Sequence, residues 1–161
     1  MRTDEEWMKE ALREAEKARE INEVPVGAVI VRDHQIIAKA HNLREQNQQA
    51  AAHAELLAIR MASEFLHTWN LEDCDLYVTL EPCMMCTGAI GLSRIRNLYY
   101  GTADPKGGCI DSLLQIKNMK HIGVYPKTIW AGILQKDCAQ ILTDFFAEKR
   151  KKTKERTAVV K

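Results

Sequence analysis

Apolar positions along the chain follow two rhythms that replace one another. Met8, Ala11, Leu12, Ala15 and Ala18 recur at helical spacing, which predicts a first helix over about residues 4–20. Thr3, with Glu6 three residues on, forms a capping box ahead of it. The period then shortens. Val26–Arg32 and Gln35–Ala40 are β-branched-rich runs joined by Asp33-His34, which reads as a hairpin with His34 in the turn. A polar stretch over 41–50 leads into a helix over about 52–66, with Leu56, Ile59 and Leu66 among its apolar positions. Asp75–Glu81 reads as a buried strand that feeds a helix over about 82–93, and Ile95–Tyr100 as a further strand. Gly101–Cys109 is a loop, Ile110–Ile116 a short helix and Thr128–Ala131 a last strand. A final helix runs from Gln135 to about Lys152, with Ala139, Leu142, Phe145 and Phe146 on its apolar side. Strands and helices that alternate in this way predict an α/β chain, a three-layer α/β/α sandwich around one sheet.

Composition narrows the class. At 161 residues the chain is expected to form a single domain over 1–161 that buries about two-thirds of its unfolded surface. No apolar run approaches the roughly 18–20 residues of a membrane helix, and the first residues do not read as a signal peptide. Five cysteines are an odd count, which fits a reduced, cytoplasmic setting better than a disulfide framework. The formal net charge of +1 conceals an asymmetry. Residues 1–24 carry five Lys/Arg against eight Asp/Glu, whereas residues 147–161 carry seven against two. Such a basic end is either a solvated helix terminus or a contact for a phosphate backbone.

The chemistry is concentrated in His53-Ala54-Glu55 and Pro82-Cys83-Met84-Met85-Cys86. Zinc takes thiolate and imidazole ligands in a tetrahedron; structural sites fill all four corners, and hydrolytic sites use three and leave one for water. His53, Cys83 and Cys86 make three, and the chain holds no second CxxC to close the set. Residues two apart point to opposite sides of a helix, so His53 and Glu55 share a site only if it lies off a helix start. Cys83 and Cys86 fall on one helix face, and Pro82 suits the first helical position. Two helix N-termini would converge on one Zn²⁺ and favour ionised thiolates. Glu55 is then better used as a proton carrier than as a fourth ligand.

HxE followed by PCxxC resembles the signature of the zinc-dependent nucleobase deaminases. Further stretches resemble the bacterial tRNA-specific adenosine deaminases: Pro25-Val26-Gly27-Ala28-Val29, His41-Asn42-Leu43-Arg44-Glu45, Tyr77–Cys83, Asp104-Pro105-Lys106-Gly107-Gly108 and Asp144-Phe145-Phe146. The resemblance implies a cytidine-deaminase-like fold with a central mixed sheet of about five strands, and one Zn²⁺ per subunit of a homodimer. It also implies hydrolysis of adenosine to inosine at the wobble position of a tRNA anticodon stem-loop. In that reaction hydroxide attacks the amino-bearing ring carbon while Glu55 moves the protons. Asn42 matches the residue that hydrogen-bonds the extruded base; its other reading is a loop cap. Val26 and Gly27 match positions flanking the pocket, Asp104 and Lys106 the loop beside the flipped nucleotide, and Lys149 and Arg150 basic positions of the last helix. Lys117–Trp130 departs from the family pattern and leaves its RNA contacts open.

Other roles weigh against these. Met84 and Met85 are expected in the core, with contact of one of them with the substrate rim as the alternative, and Cys74 and Cys138 are expected as small buried hydrophobes. Cys109 could approach the metal, where a fourth thiolate would abolish hydrolysis, and only His41 among the other histidines has a claim on the pocket rim. The alternative enzyme is a deaminase of a free base or nucleoside, guanine or cytosine, which has no use for the basic end. A zinc-stabilised RNA-binding module is a third possibility, but it does not need Glu55.

Overall fold

The computed structural model describes residues 1–118 and 126–160; the divergent stretch beginning at Lys117 therefore lies partly outside the described residues. The described elements are α1 (Asp4–Glu20), β1 (Gly27–Arg32), β2 (Gln35–His41), α2 (Arg44–Asn47), α3 (Ala54–Leu66), β3 (Asp75–Leu80), α4 (Met84–Leu92), β4 (Asn97–Thr102), a 3₁₀ turn (Ile116–Asn118), β5 (Thr128–Ala131) and α5 (Gln135–Val160).

The five strands form one mixed sheet in the order β2-β1-β3-β4-β5. β1 pairs antiparallel with both β2 and β3, while β3–β4 and β4–β5 are parallel. Asp33 and His34 both have positive φ, of 50° and 59°, as a type I′ hairpin demands. At the first helix the capping box is complete: Glu6 N–H donates to Thr3 Oγ1, and Thr3 N–H donates to the Glu6 carboxylate at 2.7 Å.

Alternation along the central strands makes the layers. Ala28 and Ile30 of β1, Leu76 and Val78 of β3, and Leu98 of β4 point into a core shared with Ala54, Ala58 and Ala62 of α3 and Ile90 of α4. The intervening Val29, Val31 and Tyr77 point the other way, onto Trp7, Met8 and Ala11 of α1 and Cys138 of α5. Strands buried on both faces must be apolar at nearly every position, and β1, read Gly-Ala-Val-Ile-Val-Arg, is. The expected α/β/α sandwich is the observed architecture.

Several boundaries differ from the sequence expectation. Ile110–Ile116 forms turns rather than a helix, with a single 3₁₀ turn at its end. A short helix, α2, interrupts the polar stretch after β2; Glu23, only 2% exposed, accepts from Gln46 N–H at 2.6 Å and holds it. Helix α5 continues to Val160, beyond the expected end near Lys152. Its buried residues are Cys138, Ile141 and Phe145, so its last four turns extend about 22 Å beyond the final buried side chain.

Gly27 has a packing reason. A Cβ there would stand 1.9 Å from the Ala11 carbonyl oxygen and 2.5 Å from the Ala15 nitrogen, both backbone atoms of α1. Backbone cannot swing aside as a long side chain can. Gly27→Ala is therefore expected to lower the unfolding free energy by about 3 kcal/mol, read by urea denaturation; a loss below about 0.5 kcal/mol would contradict this packing.

Candidate metal and base-binding site

Two helix starts meet at the site. His53 is the N-cap of α3 and Cys83 the N-cap of α4, both in extended backbone, and neither side chain caps its own helix. Freed from capping, both point off the helix ends. The cap of α3 comes from elsewhere: Asn42 Oδ1 accepts Ala54 N–H at 2.9 Å. Pro82 precedes the N-cap instead of occupying the first helical turn, so Cys83 takes the cap position and Cys86 lies in the first turn.

The donor atoms lie close. Cys83 Sγ is 3.7 Å and Cys86 Sγ 3.6 Å from His53 Nδ1, and all three donors lie within 4.8 Å of one another. Tetrahedral zinc, with Zn–N of about 2.05 Å and Zn–S of about 2.3 Å, sets each N···S edge at about 3.6 Å. The residues fit that ion. Among the described residues no further His, Cys, Asp or Glu joins the group. Cys109 is buried, yet its thiol donates to the Gly107 carbonyl at 3.5 Å.

Electrostatics separate the groups. The Cys83 thiol is lowered to about 4, chiefly because it accepts a hydrogen bond from Cys86, with His53 assisting against burial. Cys86 is pushed up by the same shared proton and by burial. His53 is raised by its hydrogen bond to Cys83. Glu55, 4% exposed at the second position of α3, is raised to about 7 by burial, which its backbone hydrogen bond and the His53 charge only partly offset.

A cavity of about 280 Å³ opens over these groups, with His53, Glu55 and Cys83 in its wall. Of the other residues singled out in the sequence, Val26, Asn42, Asp104 and Lys149 line it; Gly27, Lys106 and Arg150 do not. Gly27 faces α1, Lys106 donates its N–H to Asp104 Oδ1 in an exposed turn, and Arg150 is exposed on α5. His41 is not among the lining residues; its Nδ1 lies 3.1 Å from the Asn42 carbonyl. Asn42 caps α3 and lines the cavity as well. Cys74 and Cys138 are buried as expected. Met84 and Met85, expected in the core, are 66% and 39% exposed, because α4 buries Cys86, Thr87 and Ile90 instead.

Sequence reasoning passed over three lining acids, Glu23, Glu45 and Glu81, and the cation Arg44. Glu81 could have been singled out. It is an acid directly after an apolar strand, two residues before Cys83, where a strand of this kind delivers its chain to the site.

Residues 2–150 match the MafB19-like deaminase family. The tRNA-specific adenosine deaminase of Bacillus subtilis is 49% identical over 154 residues, covering 96% of this chain and 95% of that protein. The enzyme of the same description from Streptococcus pyogenes serotype M1 is 45% identical over 148 residues, covering 92% and 86%. A solved structure from studies of A-to-I editing by tRNA:A34 deaminases at the wobble position is 43% identical, with a TM-score of 0.82 over 85% of this chain and 99% of that one.

Metal content tests the cluster directly. Cys83→Ala and Cys86→Ala are each expected to reduce bound zinc from about one ion per chain to background in elemental analysis, while Cys138→Ala leaves it unchanged. Zinc retained in full by Cys83→Ala would remove that residue from the ligand set. By the extent of these matches, the chain belongs to the MafB19-like deaminase family, among its tRNA-specific adenosine deaminases.

Proposed function

We propose that this protein hydrolyses adenosine to inosine at the wobble position of a tRNA anticodon loop, as a zinc enzyme whose whole chain acts as one deaminase domain. The observation that carries this reading is the His53–Cys83–Cys86 group at zinc-compatible spacing, with the buried Glu55 in the same cavity wall.

His53, Cys83 and Cys86 would hold the metal. When bound, Zn²⁺ acts as a Lewis acid that makes water a competent nucleophile near neutral pH. Glu55 receives one proton from that water and delivers it to ring nitrogen N1. It then carries the second proton to the amino group leaving C6, so that water is consumed and ammonia released. Burial suits the carboxylate to this work, because a carrier near pH 7 both accepts and gives. Asn42, its acceptor engaged by Ala54, has its amide donors to offer the base.

Splayed loop bases are the usual targets of RNA readout, and an anticodon loop supplies an adenine already unpaired. Lys149 at the cavity, with Lys152 and Arg156 farther along α5, lines a path for phosphates. This favours tRNA over a free base. A reduced cytoplasmic setting agrees with five free cysteines. No described helix is long and apolar enough to cross a membrane.

A homodimer agrees with the apolar side chains that α3 and α4 leave uncovered. Phe65 is 64%, Met84 66% and Leu92 80% exposed, and such a surface is seldom left to water. Sedimentation equilibrium should give twice the chain mass, and Leu92→Asp should shift it toward the monomer; a monomeric wild type at micromolar concentration would refute the dimer.

Glu55→Gln should keep its zinc and its affinity for an anticodon stem-loop while turnover falls by about 10²- to 10⁴-fold. Inosine would be scored by sequencing total tRNA and a stem-loop, with ammonia release from guanine, cytosine and adenosine as the comparison. Activity on a free base but not on RNA would defeat the tRNA reading, and full turnover in Glu55→Gln would defeat the proton-carrier role.

A further inference from the structure

Among the described acids, Glu81 has a surrounding that its position in the strand did not foretell. It is 2% exposed, and its carboxylate is the acceptor for five donors drawn from one loop. Asp104 N–H donates to Oε1 at 3.1 Å and the Ser112 hydroxyl at 2.5 Å. The N–H groups of Ile110, Asp111 and Ser112 donate to Oε2 at 3.1, 2.9 and 3.0 Å. An ionised carboxylate offers about four lone-pair sites and no proton, so a set made only of donors matches it and no other side chain of its size.

The loop is shaped around this acid. A Cβ on Gly108 would lie 2.3–2.6 Å from three Glu81 carboxyl atoms, so the chain passes the carboxylate only as glycine. Main-chain bonds tie the same short segment to the end of β4 and to the loop: Glu81 N–H donates to Thr102 O and Cys109 N–H to Pro82 O, each at 2.9 Å. On the far side, Asp111 accepts from the Tyr100 hydroxyl and pairs with Lys117. At the near end stands Asp104, in the cavity wall with Glu55 and Cys83, its Oδ1 heading the turn to Lys106 and Gly107.

We propose that Glu81 is a positioning residue for substrate: its buried carboxylate fixes where the 104–112 loop, and Asp104 with it, stands against the nucleotides of the bound RNA. This rests on the deaminase reading above and concerns the wall of the same cavity. Glu81 acts through the loop rather than on the reacting atoms. One residue run thus serves two tasks, because the segment that ends in the ligand Cys83 also carries the anchor of the substrate wall two residues earlier. Binding geometry and ligand geometry are set from one strand end, so they stay in register.

The roles separate kinetically. Contacts that hold substrate and transition state alike appear in KM, whereas damage to the metal or to folding appears in kcat and in zinc content. Glu81→Gln puts an amide among donors and turns part of the set repulsive. Gly108→Ala reaches the same displacement from the loop side with the carboxylate intact. Ser112→Ala removes one donor of five and is the mildest, in case either of the others folds poorly. On an anticodon stem-loop, Glu81→Gln and Gly108→Ala are expected to raise KM by roughly tenfold or more, with kcat within about threefold and zinc unchanged. Ser112→Ala should raise KM by roughly twofold, and hydrogen exchange at Asp104, Ile110, Asp111 and Ser112 should quicken in the same order. Unchanged KM across the three variants, or kcat lost in step with zinc, would overturn the positioning role while wild-type turnover left the deaminase reading standing. A wild type that makes no inosine would overturn both.

Discussion

Two helix N-termini are brought within bonding distance of one point, and most of the structure follows from that constraint. The N···S separations of 3.7 and 3.6 Å join residues 30 and 33 positions apart in the chain. Local structure alone cannot set such a distance. It requires β3 beside β1 in the sheet, α3 packed on β1 and β2 through its alanines, and α4 launched from the end of β3. The alanine stripe of α3 matters because small side chains let helix and sheet approach closely, and His53 is carried in with the helix. The positive ends of both helices then face the thiols, where a negative charge is stabilised.

Buried acids divide the labour of the site by their surroundings. Glu55 and Glu81 are comparably inaccessible, yet they lean in opposite directions. Burial dominates at Glu55 and raises it to about 7. At Glu81 burial also works upward, but the Ser112 hydroxyl and the backbone N–H groups of Asp111, Asp104 and Ser112 outweigh it and hold the carboxyl below its usual range. An acid with few donors is poised to move protons, and one saturated with donors is a fixed anchor. Glu23, also buried in the cavity wall, holds α2 by accepting from Gln46 N–H. The cavity wall therefore holds three buried carboxylates in three different surroundings.

The outer surfaces carry a second division. The layer of α1 faces solvent with ion pairs, such as Glu10 with Arg13 and Lys39, whereas α3 and α4 show Phe65, Met84 and Leu92. Helix α5 joins the two regions of function. Its first turns pack on the sheet through Cys138 and Phe145; its later turns carry Lys149, Lys152 and Arg156 past the cavity mouth. An exposed helix rich in one sign of charge buries little on its own and is better suited to a charged partner than to the core.

The sequence by itself determined the layers, the hairpin, the capped first helix and which His and Cys residues gather into one group, because each rests on local periodicity or on a spacing with few alternatives. It also placed His53 and Cys83 at helix starts, His53 because residues two apart cannot share a site mid-helix and Cys83 because it follows Pro82. Tertiary structure alone decided the rest. Gly27 proved to be a close approach to α1, and Met84 and Met85 came to the surface, because which face of α4 is inward depends on where β3 aims it. Ile110–Ile116 gave up its helical pattern to send its N–H groups to Glu81 rather than to its own carbonyls. Apolar spacing says which residues avoid water, but a buried carboxylate collects donors from residues distant along the chain, and only the folded chain shows which ones arrive.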